Sequence, residues 1–295
     1  MPTYTDLDIR MKDYEKITDQ KLIRRLPVII RLDGRSFHTF TRGFRKPFDD
    51  ILIDTMQQTA LYMCQNVQNC VLAYTQSDEI SLLLIDYKDF DTRPWFGNRV
   101  QKMCSIVASM ATMAFNNFFE SNVAKENRIF TDEWLDNGDF NPKYKDKELN
   151  KLWLTHKRAS EKGAMFDSRC FNLSKDEVTN YFFWRQQDAS RNSIQMVGQA
   201  NFSHKELQNK SCNQIQDMLM EQKGINWNDF PVYQKRGSCC IKVLEDHEGF
   251  EPVNDGNKKI GEIRCETLRS NWIIDKNIPM FKGEGRDYIN ELVFV

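Results

Sequence analysis

Two short apolar runs separated by a tight polar break dominate the pattern of this chain. Residues 71–74 and 80–85 are apolar apart from Ser81, and Ser77, Asp78 and Glu79 stand between them. Such runs predict two strands joined by a hairpin turn. Residues 28–33 predict another strand, which ends at Asp33 and Gly34. Glycine there allows close backbone approach and unusual φ. Between these strands, Pro47 with Asp49 and Asp50 predicts a helix start. Leu52, Met56, Ala60, Met63 and Val67 then recur at helical spacing. A second helix is predicted from 98 to about 119, burying Val100, Met103, Val107, Ala111, Phe115 and Phe118. GAMFDSRCFNL, 163–173, predicts a fourth strand. The order strand, helix, strand, strand, helix, strand is that of an α+β, ferredoxin-like split βαβ arrangement. Its sheet is antiparallel, both helices lie on one face, and the first and third strands are central. Asp33 would then lie near Asp78 and Glu79.

The flanks are less regular. Residues 1–25 predict a helix leading into the first strand. Residues 120–162 are charged and weakly periodic, and predict an insert with one or two surface helices. Ser174 and Glu177 have the spacing of a capping box, opening a helix through YFFWRQQDASRNS. Residues 204–227 predict two short helices. Residues 237–243 and 261–268 predict a hairpin around the turn-rich DHEGFEPVNDGNKK. The expected organisation is a catalytic region, 1–173, carrying the insert, with a helical and hairpin region, 174–295, packed on it as one continuous globular unit.

Length and charge change this picture little. The 295 residues suffice for a sizeable core and at most about two domains. A composition of 40% hydrophobic and 28% charged residues is that of a soluble globular protein. The net charge of -1 argues mildly against a nucleic-acid binder, although local clustering still supplies basic surface. Eight cysteines are scattered through apolar segments without a C-x-x-C pair, which predicts buried reduced thiols in an intracellular protein. The acidic N-terminus lacks a secretory or transit pattern. No apolar run approaches the roughly 20 residues of a membrane helix. A reducing compartment is expected, the cytoplasm before the mitochondrion.

The candidate chemistry starts from the carboxylates. Two acids in an apolar setting are costly unless an Arg, a Lys or a metal ion compensates them. Asp33 and Asp78 at two neighbouring strand ends would make a hard oxygen site suited to magnesium and to two-metal nucleotidyl transfer. RSFHTFTRGFRKPF, 35–48, interleaves cations with Phe37, Phe40, Phe44 and Phe48. That pattern suits nucleotide or nucleic-acid binding. It equally suits a loop whose aromatics dock on the core while its cations stay solvated. Arg99 and Lys102 fall in the first turn of the second helix, where free N–H groups and cations make a phosphate site; solvated surface cations are the alternative. Arg185, Gln186, Gln187, Asp188, Arg191, Asn192 and Gln195 load one helix with hydrogen-bonding groups. An RNA or subunit interface and a solvated surface both fit them.

RLDGRSFHTF, KPFD at 46–49, YTQSDEIS at 74–81, FDSR at 166–169 and WRQQD at 184–188 occur in this order. Together they resemble the histidine-tRNA guanylyltransferase superfamily, from about residue 5 to 242. The resemblance implies a palm like that of polymerases and nucleotide cyclases, adding nucleotides 3′-to-5′ at RNA 5′ ends. It implies that Asp33, the Gly34 carbonyl and Asp78 hold two magnesium ions, with Glu79 as the neighbouring acid. It places His38, Lys46, Ser77, Arg99 and Lys102 around nucleotide triphosphates, with ATP and GTP or other NTPs as substrates. It also implies a homotetramer. Where guanylyltransferases carry His-Ile-Asn-Asn, this chain has Ser190, Arg191, Asn192 and Ser193. That departure looks like the "-like protein" branch, associated with template-dependent repair of 5′-truncated tRNA. The expected function is therefore 5′-end repair, with Arg185, Gln187, Arg191 and Asn192 facing the RNA. The alternatives are addition of a single G, a nucleotide cyclase on the same palm, and a non-catalytic RNA-binding subunit.

Overall fold

A computed structural model describes the backbone of residues 5–136, 147–255 and 258–295, and the side chains of 5–126, 151–246 and 268–295. In chain order the elements are α1 (Asp6–Lys16), β1 (Val28–Gly34), α2 (Phe37–Phe40), α3 (Asp50–Asn66), β2 (Cys70–Gln76) and β3 (Glu79–Leu84). Then come α4 (Val100–Asp136), α5 (Lys147–Lys162), β4 (Phe166–Asn172), α6 (Lys175–Asn201), α7 (His204–Leu207) and α8 (Cys212–Lys223). The chain ends with α9 (Val232–Arg236), β5 (Ser238–Asp255), β6 (Lys258–Asp275) and α10 (Asp287–Val293).

The strands form one six-stranded sheet in the order β4-β1-β3-β2-β5-β6, every pair antiparallel. Its first four strands have the predicted split βαβ order. On one face, Val28, Ile30, Leu32, Ile80, Leu82 and Leu84 pack with residues of α3 and α4 such as Met63, Val107 and Phe115. On the other, Ile29, Leu72, Tyr74 and Leu83 pack with Val178 and Phe182 of α6 and with Phe281, Ile289 and Val293 near the C-terminus. The expected pair of helices thus shares one face, and α6 with the C-terminal segment covers the second. Burial on both faces is why β3 reads as a nearly continuous apolar run rather than an alternation.

α3 begins where the sequence predicts, because the Asp49 side chain accepts the Leu52 N–H. α4 does not stop near 119 but runs on to Asp136. No Gly or Pro interrupts it, and Phe119 and Val123 are still part of its buried face. The predicted insert is therefore the end of α4 plus α5; residues 137–146 lie outside the described residues. Ser174 caps α6 without a side-chain hydrogen bond, so its predicted capping box does not form. Reciprocal capping boxes form instead at Ser203–Glu206 and Ser211–Gln214, opening the two short helices expected at 204–227.

The hairpin is longer than predicted. Val243 pairs with Asn271, and the segment 261–268 lies opposite 246–253. β5 pairs with β2 only between Ser238 and Ile241, so beyond that point it has one unpaired edge, where Pro252 is tolerated. Seven of the eight cysteines are free thiols; Cys64, Cys70, Cys239 and Cys240 are buried as expected, Cys104, Cys170 and Cys212 are only partly buried, and Cys265 lies outside the described side chains. Among the described residues no helix is long and apolar enough to cross a membrane.

The loop after β1 follows its docking alternative for the aromatics. Phe37, Phe40 and Phe44 are buried against Phe115 and Phe119. A Cβ on Gly34 would run into the Phe37 ring, so glycine is needed there for close approach. Gly34→Ala is expected to lose about 1–3 kcal/mol of stability by overpacking, read as an earlier urea midpoint.

Candidate active site: carboxylates at the end of the central strands

β2 and β3 are joined by Ser77 and Asp78 alone, with Ser77 in the left-handed region at φ 51. The turn is tied to β1, because the Gly34 N–H donates to the Asp78 carbonyl at 3.0 Å. The Ser77 hydroxyl donates to Asp78 Oδ1 at 3.0 Å. Register places Asp33 directly opposite Glu79 on one side and Asp167 on the other. Directly paired side chains share a face, so the three acids form a row across β4, β1 and β3. Arg169, Arg31 and Ser81 form the next row behind it.

These acids are not equivalent. Glu79 is 3% exposed. Arg185 grips it with two bonds, Nε to Oε1 at 2.7 Å and Nη2 to Oε2 at 2.8 Å. Arg31 Nη2 adds a third contact at 2.9 Å. Burial pushes the Glu79 carboxyl up against the pull of these two guanidiniums. Burial also opposes the Arg185 charge, but Glu79 outweighs it and the guanidinium pKa is raised. Glu79, predicted as a catalytic acid, therefore anchors the site with both oxygens already engaged.

Asp33 and Asp78 are only partly exposed, and neither takes part in an ion pair among the described residues. Burial raises the Asp78 pKa, and the nearby Asp33 charge adds to it. Two neighbouring carboxylates, neither ion-paired among the described residues and both beside the Gly34 backbone, fit a magnesium site. Magnesium characteristically takes one or two carboxylates and fills its octahedron with water and phosphate. Among the described residues no group of three or more His, Cys, Asp or Glu side chains is placed to hold a metal ion.

The other predicted residues divide. His38 is exposed on α2, just beyond the end of β1. Lys46 is exposed and lines a cavity of about 580 Å³ with Gln195, Gln199, His204 and Lys210. Ser77 and Asn192 line one smaller cleft together with Gln76 and Tyr233. Gln187 and Arg191 are exposed on α6, and Arg191 pairs with Asp188. Arg185, expected to face RNA, is instead 5% exposed and engaged by Glu79 and Asp188.

Arg99 and Lys102 are engaged by other partners. α4 starts beside the middle of β1 and runs towards the end that bears Asp33. Cys170, opposite Ile30, contacts the Val100 carbonyl, whereas Phe166, opposite Gly34, bonds Thr112. Ile30 is already three residues from Asp33, roughly 10 Å along the strand. Arg99 Nε is paired with Asp19 Oδ1 at 2.7 Å, and the Lys102 ammonium lies 4.8 Å over the Phe96 ring. Conversely, Arg31, Asp167 and Arg169 stand beside Asp33 and were missed. Period-2 alternation along RLD and FDSR was the signal that could have found them.

Comparison with known proteins identifies the family. Residues 8–174 match the family described as "Thg1: tRNAHis guanylyltransferase". A probable tRNA(His) guanylyltransferase of Dictyostelium discoideum is 27% identical over 264 residues, covering 84% of this chain and 86% of that protein. The solved structure of a bacterial tRNA(His) guanylyltransferase (Thg1)-like protein in complex with ATP is 38% identical with a TM-score of 0.74. It covers 98% of this chain and 99% of that one. A like structure in complex with GTP is 36% identical with a TM-score of 0.69, covering 99% of this chain and 100% of that one. The crystal structure of the Saccharomyces cerevisiae enzyme shares the fold at a TM-score of 0.54 and 22% identity, over 75% of this chain and 87% of that one. The chain thus belongs to the tRNAHis guanylyltransferase family of nucleotidyltransferases.

Proposed function

We propose that this protein repairs tRNA by adding nucleotides 3′-to-5′ at an incomplete 5′ end, directed by the opposing strand. The observation that carries the reading is the Asp33–Asp78 pair, two neighbouring carboxylates of which neither is in an ion pair among the described residues. Asp33, Asp78 and the Gly34 carbonyl would hold two magnesium ions, which when bound lower the pKa of an attacking hydroxyl and neutralise phosphate charge. The tied turn keeps the two carboxylates at a fixed spacing, since Gly34 and Asp78 are linked through the backbone. Glu79, Arg31 and Arg185 hold that end of the sheet rigid beneath them. His38, Lys46 and Ser77 contact the triphosphate, and the exposed Gln187 and Arg191 with Asn192 meet the RNA. The attacking group is the 3′-hydroxyl of the incoming nucleotide. Its target is a 5′-phosphate activated by ATP or by an existing triphosphate.

The ATP and GTP complexes of similar bacterial proteins support both nucleotides as substrates. Ser190, Arg191, Asn192 and Ser193, in place of His-Ile-Asn-Asn, favour repair over recognition of one anticodon. The same reading makes the protein a homotetramer. All eleven residues of α1 are exposed, and Leu7, Ile9, Met11 and Tyr14 offer apolar contacts to a neighbouring copy. A tRNA lacking its first nucleotide, supplied with NTPs and magnesium, is expected to be extended at its 5′ end, and chelation by EDTA is expected to stop the reaction. Extension undiminished by EDTA, or none with either a monophosphorylated or a triphosphorylated end, would contradict the reading.

A further inference from the structure

α5 carries His156, whose side chain is 1% exposed although the helix lies on the surface of the fold. Its ring stands edge-on to Phe44, 4.6 Å between centroids, and beside Phe119. Nε2 lies 2.9 Å from Asp49 Oδ2. Nδ1 is buried without a hydrogen-bond partner, and Glu126 Oε2 stands 3.9 Å from it. A histidine placed only to fill space would have no need to direct one nitrogen at a buried carboxylate.

Asp49 is where several contacts meet. Its Oδ1 accepts the Leu52 N–H at 3.1 Å, capping α3. Its Oδ2 accepts the Arg45 N–H at 2.9 Å as well as His156. The Arg45 bond closes a ring of chain containing Lys46 and Pro47. Arg45 also reaches Glu126 of α4 at 3.1 Å and stands 4.0 Å from Asp50. The short loop bearing Lys46 is thereby fastened to α3, α4 and α5. Burial would raise the Asp49 pKa, but the His156 bond and the two backbone donors bring it below the usual carboxylate range. Among the side-chain partners of this buried anion, His156 is the donor.

We propose that His156 is a positioning residue for the reaction: by donating Nε2–H to Asp49 it holds the 45–49 loop so that Lys46 projects into the triphosphate site. This rests on the reading of Lys46 as a triphosphate contact. His156→Leu keeps the bulk and removes the donor, and His156→Gln restores a donor near the Nε2 position. The Leu variant is expected to raise the KM for the incoming NTP about tenfold and to change kcat less than about threefold, with Gln recovering most of the loss. Lys46→Ala is expected to raise the same KM, and adding His156→Leu to it to raise KM no further. Amide hydrogen exchange at residues 41–49 is expected to quicken in the Leu variant and return towards normal in the Gln variant.

If Lys46→Ala raises KM while His156→Leu does not, or if the two effects simply multiply, the positioning role is overturned. If Lys46→Ala leaves KM unchanged, the reading of Lys46 fails. Exchange at 41–49 then still decides whether His156 fastens the loop, and unaltered exchange overturns that too. Should His156→Leu fail to fold, Asp49→Asn probes the same link, and an unchanged KM there overturns the proposal.

Discussion

Asp78→Ala is expected to remove nucleotide addition, with kcat falling roughly 10³-fold or more, since in the proposed mechanism charge stabilisation at the reacting phosphate depends on this carboxylate. The fold survives the change. Asp78 lies in a two-residue turn, and its contact with Gly34 uses the main-chain carbonyl, which alanine keeps. Its side chain accepts from neighbouring Ser77 and from its own main-chain N–H, and forms no ion pair among the described residues. Deleting a carboxylate whose pKa burial and Asp33 already raise relieves repulsion, so the melting temperature is expected to hold or rise slightly. Labelled-nucleotide incorporation and a thermal melt on one preparation separate the two effects. Near-normal turnover by the variant would remove Asp78 from the chemistry.

Arg185→Met has the opposite signature. It deletes the group that binds Glu79 through two hydrogen bonds in a setting where both residues are buried. Breaking a buried ion pair from one side costs about 3–5 kcal/mol, and Arg31 remaining at 2.9 Å holds the loss near the lower end. The urea midpoint is expected to fall accordingly. The double variant Glu79→Leu, Arg185→Met is expected to lose less than the two single changes summed, since Glu79 and Arg185 no longer strand each other, although Arg31 and Asp188 each lose a partner. An Arg185 that served RNA would behave differently: the single variant would keep its stability and lose tRNA affinity.

The fold was legible where local pattern and topology agree. β1, β2 and β3 of the split βαβ unit are largely apolar runs, and α3 carries both its cap and its apolar face in sequence. The second covering layer was harder to see, although β3 hinted at it by being apolar on both faces. Charged residues at 120–136 resembled an insert because their apolar spacing is weak, although no Gly or Pro ends the helix there. Turn-forming residues within β5 masked a long ribbon whose free edge tolerates them.

The site divided along the same line. Asp33 and Asp78 were legible because strand ends and a two-residue turn fix where side chains go. The partnership of Glu79 with Arg185 spans 106 residues and needed the packed structure. The placement of Arg99 and Lys102 was not legible, because the fifteen residues 85–99 between β3 and α4 leave the start of α4 open.

The most direct test of templated repair is to vary the base opposite the missing 5′ nucleotide and sequence the product. A tRNA lacking its first residue, offered all four NTPs with magnesium, is expected to gain the complement of each opposing base. Addition of a single G whatever base stands opposite would contradict that account and mark the protein as a guanylyltransferase.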